Sequence, residues 1–298
     1  MPSSRSAIPP RTRAALRAAE AAGVEIAIAT GRRHAYALPL IDPVGLDPAA
    51  VMISSNGAVV RRLNGELRRR SFLASASARK LCSHLREYGA ICGGGYGTGY
   101  GTLVFTFDRQ KPAPMATEEL RRLSRSIERW VEANRPHLQE VRPIERAFER
   151  GEEPIQGMVC GTIEQVRGAQ RHLMDAGMAG EVEMHRTEYA ARDLSILDLL
   201  PPGCSKGAAL EWVAGCKGIA REEVMAIGDN LNDLTMLEYA GEAVVMGNAS
   251  PEMLTAADRG GWRIAPADER EGVAHVLEAL LSQPVGLRPA APAVEVAQ

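Results

Sequence analysis

The sequence predicts an α/β fold with an open parallel sheet, interrupted by an inserted α+β domain. Three observations predict it. Helix-like and strand-like runs alternate over the first stretch, from Pro10 to Gly57. The same alternation returns from Lys206 to Ser282. Between them, from about Ser75 to Leu199, the regular alternation is lost.

Taken in order, Pro9-Pro10 precede an Ala-rich run from Arg11 to Ala22 that closes at Gly23. Proline at the start and glycine past the end are the terminal preferences of an α-helix. Val24 to Ala29 then reads as a buried strand ending at Thr30-Gly31-Arg32, and Ala50 to Ser54 as a second strand ending at Ser55-Asn56-Gly57. Helix, strand, connection and strand is the order of βαβ units, which build parallel sheets. The middle reads as helices over Ser77 to Tyr88, Thr117 to Ala133 and Ile163 to Ala176. Extended pieces fall at Thr102 to Phe107, Ile155 to Cys160, Val182 to His185 and Leu194 to Leu197. The late elements are helices over Lys206 to Lys217, Asp233 to Tyr239, Pro251 to Ala257 and Glu271 to Ser282, with strands at Val224 to Ile227 and Ala243 to Met246. With hinges near Phe72 and Pro201-Pro202, residues 1–74 and 200–283 form one discontinuous domain and residues 75–199 the inserted one. The Pro- and Ala-rich tail, 284–298, is expected to be disordered.

Composition narrows the function. Of 298 residues, 45% are hydrophobic and 24% charged, the balance of a globular chain. A net charge of −2 argues against nucleic acid or an anionic membrane as partner. Five cysteines without a CxxC pair disfavour a zinc site or a disulfide framework and fit a cytoplasmic location. No apolar run reaches the roughly 18 residues of a membrane span, and the polar, Pro-rich start does not read as a signal peptide.

The most informative stretch is Val224-Met-Ala-Ile-Gly-Asp229-Asn-Leu-Asn-Asp233. An apolar strand ends in glycine and then two carboxylates with interleaved asparagines. This all-oxygen cluster suits Mg²⁺, at the strand end where open α/β sheets bind ligands. A polar loop with aspartate capping a helix is written in the same letters. Thr30-Gly31-Arg32 is either an anion cradle of hydroxyl and backbone N–H groups or a routine strand-to-helix turn. Ser55-Asn56-Gly57 is a turn or a polar contact at the crevice. Lys206, at a helix start, works against the helix dipole, which points to a site role or leaves an exposed cation. Gly93 to Gly101 satisfies neither GxGxxG nor a P-loop ending and reads as a flexible turn. His34 follows Arg32-Arg33 and either reaches the crevice or lies on the surface. His84, His137, His172, His185 and His275 show no metal-ligand spacing and read as structural or solvated. Arg68-Arg69-Arg70 reads as a solvated strand edge.

Taken together and in this order, four segments resemble the haloacid dehalogenase-like (HAD) superfamily. They are Ala29-Thr30-Gly31-Arg32, Ser55-Asn56-Gly57-Ala58, Ser205-Lys206-Gly207-Ala208-Ala209-Leu210 and Gly228-Asp229-Asn230-Leu231-Asn232-Asp233. More narrowly they resemble its Cof-like sugar-phosphate phosphatases, which Ala243 to Ala249 and Gly272-Val273-Ala274 also match, over about Ile8 to Leu281. The resemblance implies a Rossmann-like doubly wound core with the inserted domain acting as a cap. It implies a Mg²⁺-dependent phosphoric monoester hydrolase acting on a small phosphorylated metabolite, such as a sugar phosphate. Thr30 and the Gly31 amide would bind the phosphoryl group, and Lys206 would neutralise it. Asp229 would ligate the metal, and Asp233 would hold it through water or fix Lys206. Asn232 would hydrogen-bond phosphate or its surroundings, and Arg32 and Asn56 would line the site near the cap.

One family motif has no counterpart. The family's first strand ends in Asp-x-Asp-Gly-Thr, whose first aspartate attacks phosphorus and whose second serves as general acid and base. This sequence contains no Asp-x-Asp. The resemblance therefore implies that the central first strand, between the Thr30 and Asp229 strands, is absent from the chain as written. Either the natural frame begins roughly 15 to 25 residues earlier, or the chain is an inactive, phosphate-binding remnant.

Overall fold

The computed structural model describes residues 7–92, 99–109, 113–118, 128, 131–132, 134–148 and 151–282. Its strands form three sheets. The first contains β1 (Ala27–Ala29), β2 (Val51–Ser54), β3 (Val59–Arg62) and β4 (Leu67–Arg70), in that order. The second contains β5 (Thr102–Thr106), β6 (Met115–Thr117), β7 (Leu138–Glu140), β8 (Gln156–Gly161), β9 (Glu183–Tyr189) and β10 (Leu194–Leu200), in the order β7-β6-β5-β8-β10-β9. The third contains β11 (Met225–Gly228), β12 (Glu242–Met246) and β13 (Arg263–Ala265). The described helices are α1 (Pro10–Ala21), α2 (His34–Ile41), α3 (Ser75–Ile91), α4 (Ile163–Asp175), α5 (Lys206–Cys216), α6 (Leu234–Tyr239), α7 (Pro251–Gly260) and α8 (Gly272–Ser282). Among the described residues no helix is long and apolar enough to cross a membrane.

Local chemistry starts several of the helices within a residue or two of where the pattern predicts, though α2 was not predicted. α1 opens on proline and buries Thr12, Ala15 and Ala19. Its small side chains let α8 approach, with Ala274 and Leu277 completing the contact. In α4 the Thr162 side chain accepts the Gln165 amide while the Gln165 side chain accepts the Thr162 amide, a closed capping box. α5 is capped by Ser205, whose hydroxyl accepts the Ala208 amide at 3.0 Å.

Several sequence expectations change. The strand predicted from Val24 shortens to Ala27–Ala29, because its partner β2 begins at Val51, which meets Ala27. The purely parallel reading fails after Ser54. Asn56 (φ 54°) and Gly57 (φ 100°) turn the chain back so that β3 runs antiparallel to β2, and β4, with its arginines, forms the outer edge. Thr117 does not start a helix but ends β6, and much of the helix predicted to Ala133 lies outside the described residues. The two short pieces near Val182 and Leu194 are one long hairpin, reversed through Asp193 in the left-handed region. Gly93 to Thr98 and the tail from 284 lie outside the described residues.

The cap sheet buries one face under α3 and α4. Leu81, Leu85, Val166 and Leu173 meet Phe105, Val159, Leu197 and Leu199 there. Its opposite face carries Val104, Met158, Leu194 and Ile196.

The core sheets share covers on both faces. Ala29 and Ile53 face Leu210 and Val213 of α5, and Ala226 and Val245 meet Ala214 of the same helix. On the other side, Ile28 and Met52 face Leu16 of α1, while Val244 and Met246 face Val276 of α8. Yet β1 and β11 do not pair. A cavity of about 1710 Å³ separates them, walled by Ala27 to Ala29 and Met225 to Gly228. β2 is buried throughout, whereas Ala27 is exposed and Ile28 and Ala29 are half-buried. Among the described residues the core is thus two half-sheets under common helices, with a cleft along their facing edges.

Candidate active site

The loops that follow β1 and β11 open into the same cavity, which also reaches the cap sheet. Thr30, Gly31, Arg32, Lys206, Asp229, Asn232 and Asp233 all line it. These are seven of the eight residues singled out from sequence. Asn56 stands behind the wall instead. It is 2% exposed, and its Oδ1 accepts Asn232 Nδ2 at 3.0 Å.

Lys206 and Asp233 form the anchor. Lys206 Nζ donates to Asp233 Oδ1 at 2.5 Å, with both side chains buried. The other carboxylate oxygen, Oδ2, accepts the amides of Asp229 at 3.0 Å and Asn230 at 3.1 Å. Both oxygens of Asp233 thus accept hydrogen bonds within the protein, fixing Lys206 and shaping the loop that carries Asp229. This loop lies so close to its own strand that a Cβ on Gly228 would sit 2.6 Å from Asp233 Cβ. Gly57 permits a second close approach. A Cβ there would fall 2.1 Å from the Ser205 carbonyl oxygen at the start of α5.

Asp229 retains binding capacity. Its Oδ1 accepts Asn230 Nδ2 at 3.1 Å. Burial, with the charge of Asp233 adding to it, pushes the carboxyl above its ordinary range against the opposing pull of Lys206. A buried carboxylate beside a like charge is one that a cation stabilises. The oxygen donor suits Mg²⁺ as one ligand of several, and Asp233, which also lines the cavity, holds Lys206 beside it. Thr30 Oγ1 accepts the Arg32 amide at 3.1 Å, which leaves the hydroxyl proton available to a ligand.

Sequence reasoning missed the cap's own contribution. Asp198, on β10, lies fully buried in the cavity wall, and Gln156 Nε2 donates to its Oδ1 at 2.5 Å. Burial pushes its carboxyl up to about 6, opposed by the Gln156 hydrogen bond and the charge of Lys206. Asn56 Nδ2 lies near enough to favour the charged form without making a hydrogen bond. The signal was a single charged letter in the apolar run Leu194-Ser-Ile-Leu-Asp198-Leu-Leu. Tyr189, also in the wall, is pushed up to about 12 by burial, with Asp229 and Asp198 adding. His34 turns away, to the Arg62 carbonyl at 3.2 Å.

Residues 2–277 match the family model of the haloacid dehalogenase-like hydrolases, and the chain belongs to that family. Within it, the chain is 30% identical over 282 residues to phosphatase YwpJ of Bacillus subtilis (strain 168), covering 90% of this chain and 91% of that protein. A phosphatase of the same superfamily from Bacteroides thetaiotaomicron superposes with a TM-score of 0.70 at 25% identity, over 91% of this chain and 87% of that one. A subclass IIB sugar phosphatase shares the fold with a TM-score of 0.68 at 20% identity, over 91% of both chains. The Cof-like branch and the capped α/β fold implied by the motifs are the ones found.

Proposed function

We propose that this protein is a Mg²⁺-dependent phosphatase of small phosphorylated metabolites, sugar phosphates foremost. The observation that carries the reading is the convergence of Thr30, Lys206, Asp229 and Asp233 on one cavity beneath the cap. Thr30 Oγ–H and the Gly31 amide hold the phosphoryl oxygens. Lys206 has one donor on Asp233 and two left for the same group. Asp229 is the protein's ligand to Mg²⁺, which supplies charge neutralisation at the phosphate when bound. Positioned cations and donors are what phosphoryl transfer requires, since its transition state spreads charge over phosphate oxygens.

The attacking carboxylate belongs, on this reading, to a further strand seated between β1 and β11. The cleft supports this, because two half-sheets under shared helices accept one parallel strand whose C-terminal end meets Thr30 and Asp229. That carboxylate attacks phosphorus as the ester P–O bond breaks, and a second acid protonates the leaving oxygen. Water then hydrolyses the aspartyl-phosphate. A small phosphorylated substrate reaches the cap face through Arg32, Tyr189 and Asp198. A second reading is favoured by one observation: the sequence contains no Asp-x-Asp to supply the attacking carboxylate. The chain as written would then bind phosphorylated ligands without turnover.

The test is phosphate release from a panel of phosphorylated metabolites. It compares this chain with one lengthened before Met1 by an apolar strand ending in Asp-x-Asp. Turnover is expected in the lengthened protein and should vanish with EDTA or in Asp229→Asn. Undiminished activity under either condition sinks the mechanism. Ligand binding by calorimetry without turnover in either protein would establish the second reading.

A further inference from the structure

The histidines set aside for lack of spacing include two that the fold brings together. His84 and Glu87 lie one turn apart on α3, and His172 lies on α4. The two helices pack side by side through Leu81, Leu85, Ala169 and Leu173 on the cap-sheet face that carries Leu197 and Leu199. Ile196 and Asp198, which alternate with those leucines, point to the opposite face and line the candidate active-site cavity. The cluster is therefore separate from that cavity.

One ligand atom from each of His84, Glu87 and His172 lies within 4.8 Å of the other two. His84 Nδ1 is 3.2 Å from Glu87 Oε2. The imidazole rings stand 6.2 Å apart at 66°, edge to face, and the Tyr88 ring lies 5.4 Å from that of His172. His172 Nε2 is buried and has no hydrogen-bond partner. A buried imidazole nitrogen without a partner is an unmet demand, and native structures rarely leave one without an ion or a water.

We propose that His84, Glu87 and His172 bind a divalent transition-metal ion, with Zn²⁺ as the fitting type, and that the ion ties α3 to α4. Two imidazole nitrogens and one carboxylate oxygen are the donors of borderline metals rather than of Mg²⁺ or Ca²⁺. Bonds of about 2.0–2.2 Å in tetrahedral geometry place donors about 3.4 Å apart. Small rotations of the side chains close the remaining distance, and the exposed Glu87 is free to make them. Its nearest hydroxyl, Ser83 Oγ, is a weak competitor at 3.4 Å. Lys80, one turn before His84, has its ammonium engaged by Glu181. Because the ligands come from two helices, binding favours the packed cap over any state in which α3 and α4 separate.

The experiment titrates the chelator-stripped full chain with Zn²⁺ against a chromophoric chelator, in the presence of millimolar Mg²⁺. An Asp229→Asn background removes the active-site carboxylate from competition. One equivalent should bind with micromolar or tighter affinity, weakened at least tenfold in His172→Ala and in Glu87→Gln. Zn²⁺ should raise the Tm of the parent and leave that of His172→Ala unmoved. Substituted Co²⁺ should show no intense thiolate charge-transfer band, which separates this site from the exposed Cys92 and Cys216. Equal affinity in parent and both variants, absence of binding in the parent, or a thiolate band would each overturn the proposal. Glu87 is exposed, so Glu87→Gln keeps the test decisive should His172→Ala fail to fold. Phosphate release is not its readout, so its failure leaves the proposed function untouched.

Discussion

Lys206 and Asp233 are each about 5% exposed, and neither could be buried alone. Removing one member of a buried ion pair leaves the other uncompensated and costs about 3–5 kcal/mol. Lys206→Met should lose stability in that range, read by urea denaturation, and should also lose phosphate affinity. Asp198 makes a different prediction. Its carboxyl is raised from 3.8 to about 6. Between those values the unfolded chain has released a proton that the folded chain keeps. Stability from this group is therefore present at low pH and falls as pH rises through about 4 to 6, by roughly 3 kcal/mol at most. Asp198→Asn should flatten that fall, matching the parent at pH 4 and exceeding it at pH 7.5 in parallel denaturation curves. A variant that loses stability equally at both pH values would refute the assignment. The identities of Lys206, Asp229 and Asp233 were legible as letters in motifs. The engagement of both Asp233 oxygens was not, because its partners are set by how a loop folds over a glycine.

At the scale of elements, the turn after β2 and the start of α5 are built against each other through Gly57. The left-handed backbone there and the 2.1 Å approach of a would-be Cβ to the Ser205 carbonyl leave no room for a side chain. Gly57→Ala should destabilise by at least about 2 kcal/mol and displace Lys206. A parent-like thermal melt would contradict this. Whereas α2, with Pro39 inside it, went unread, helices with local caps were the most legible elements. Their caps and periodicity are local, and α5, α7 and α8 begin within a residue of the predicted positions. Strands were less so. β3 went unread because its two apolar residues follow directly on a turn that itself looked like a site motif. The β9–β10 hairpin was underestimated because Arg186 and Asp198 interrupt its apolar pattern while the ladder continues past them.

Across the whole molecule, the facing edges of β1 and β11 dominate, neither having a strand partner on that side among the described residues. The Thr30 amide bonds Ile53 O in the β2 ladder. By the alternation of a parallel pair, the Ala27 and Ala29 amides face the cleft instead. Hydrogen exchange should therefore be fast at Ala27 and Ala29 and slow at Ile28. Lengthening the chain by one apolar strand before Met1 should protect both alanines and raise Tm by several degrees. Unchanged exchange in the lengthened protein would show that the cleft does not accept a strand. Alternation of helices and strands, and four short motifs, sufficed to read the family and the core from letters, since propensity, capping and motif spacing act over neighbouring residues. The fold alone decided that Asp233 pairs with Lys206, that Asp198 lines the cavity from the cap, that His172 meets His84, and that β1 and β11 face each other without pairing. Each of those depends on segments far apart along the chain, and the geometry that joins them exists only once both are packed under the same helices.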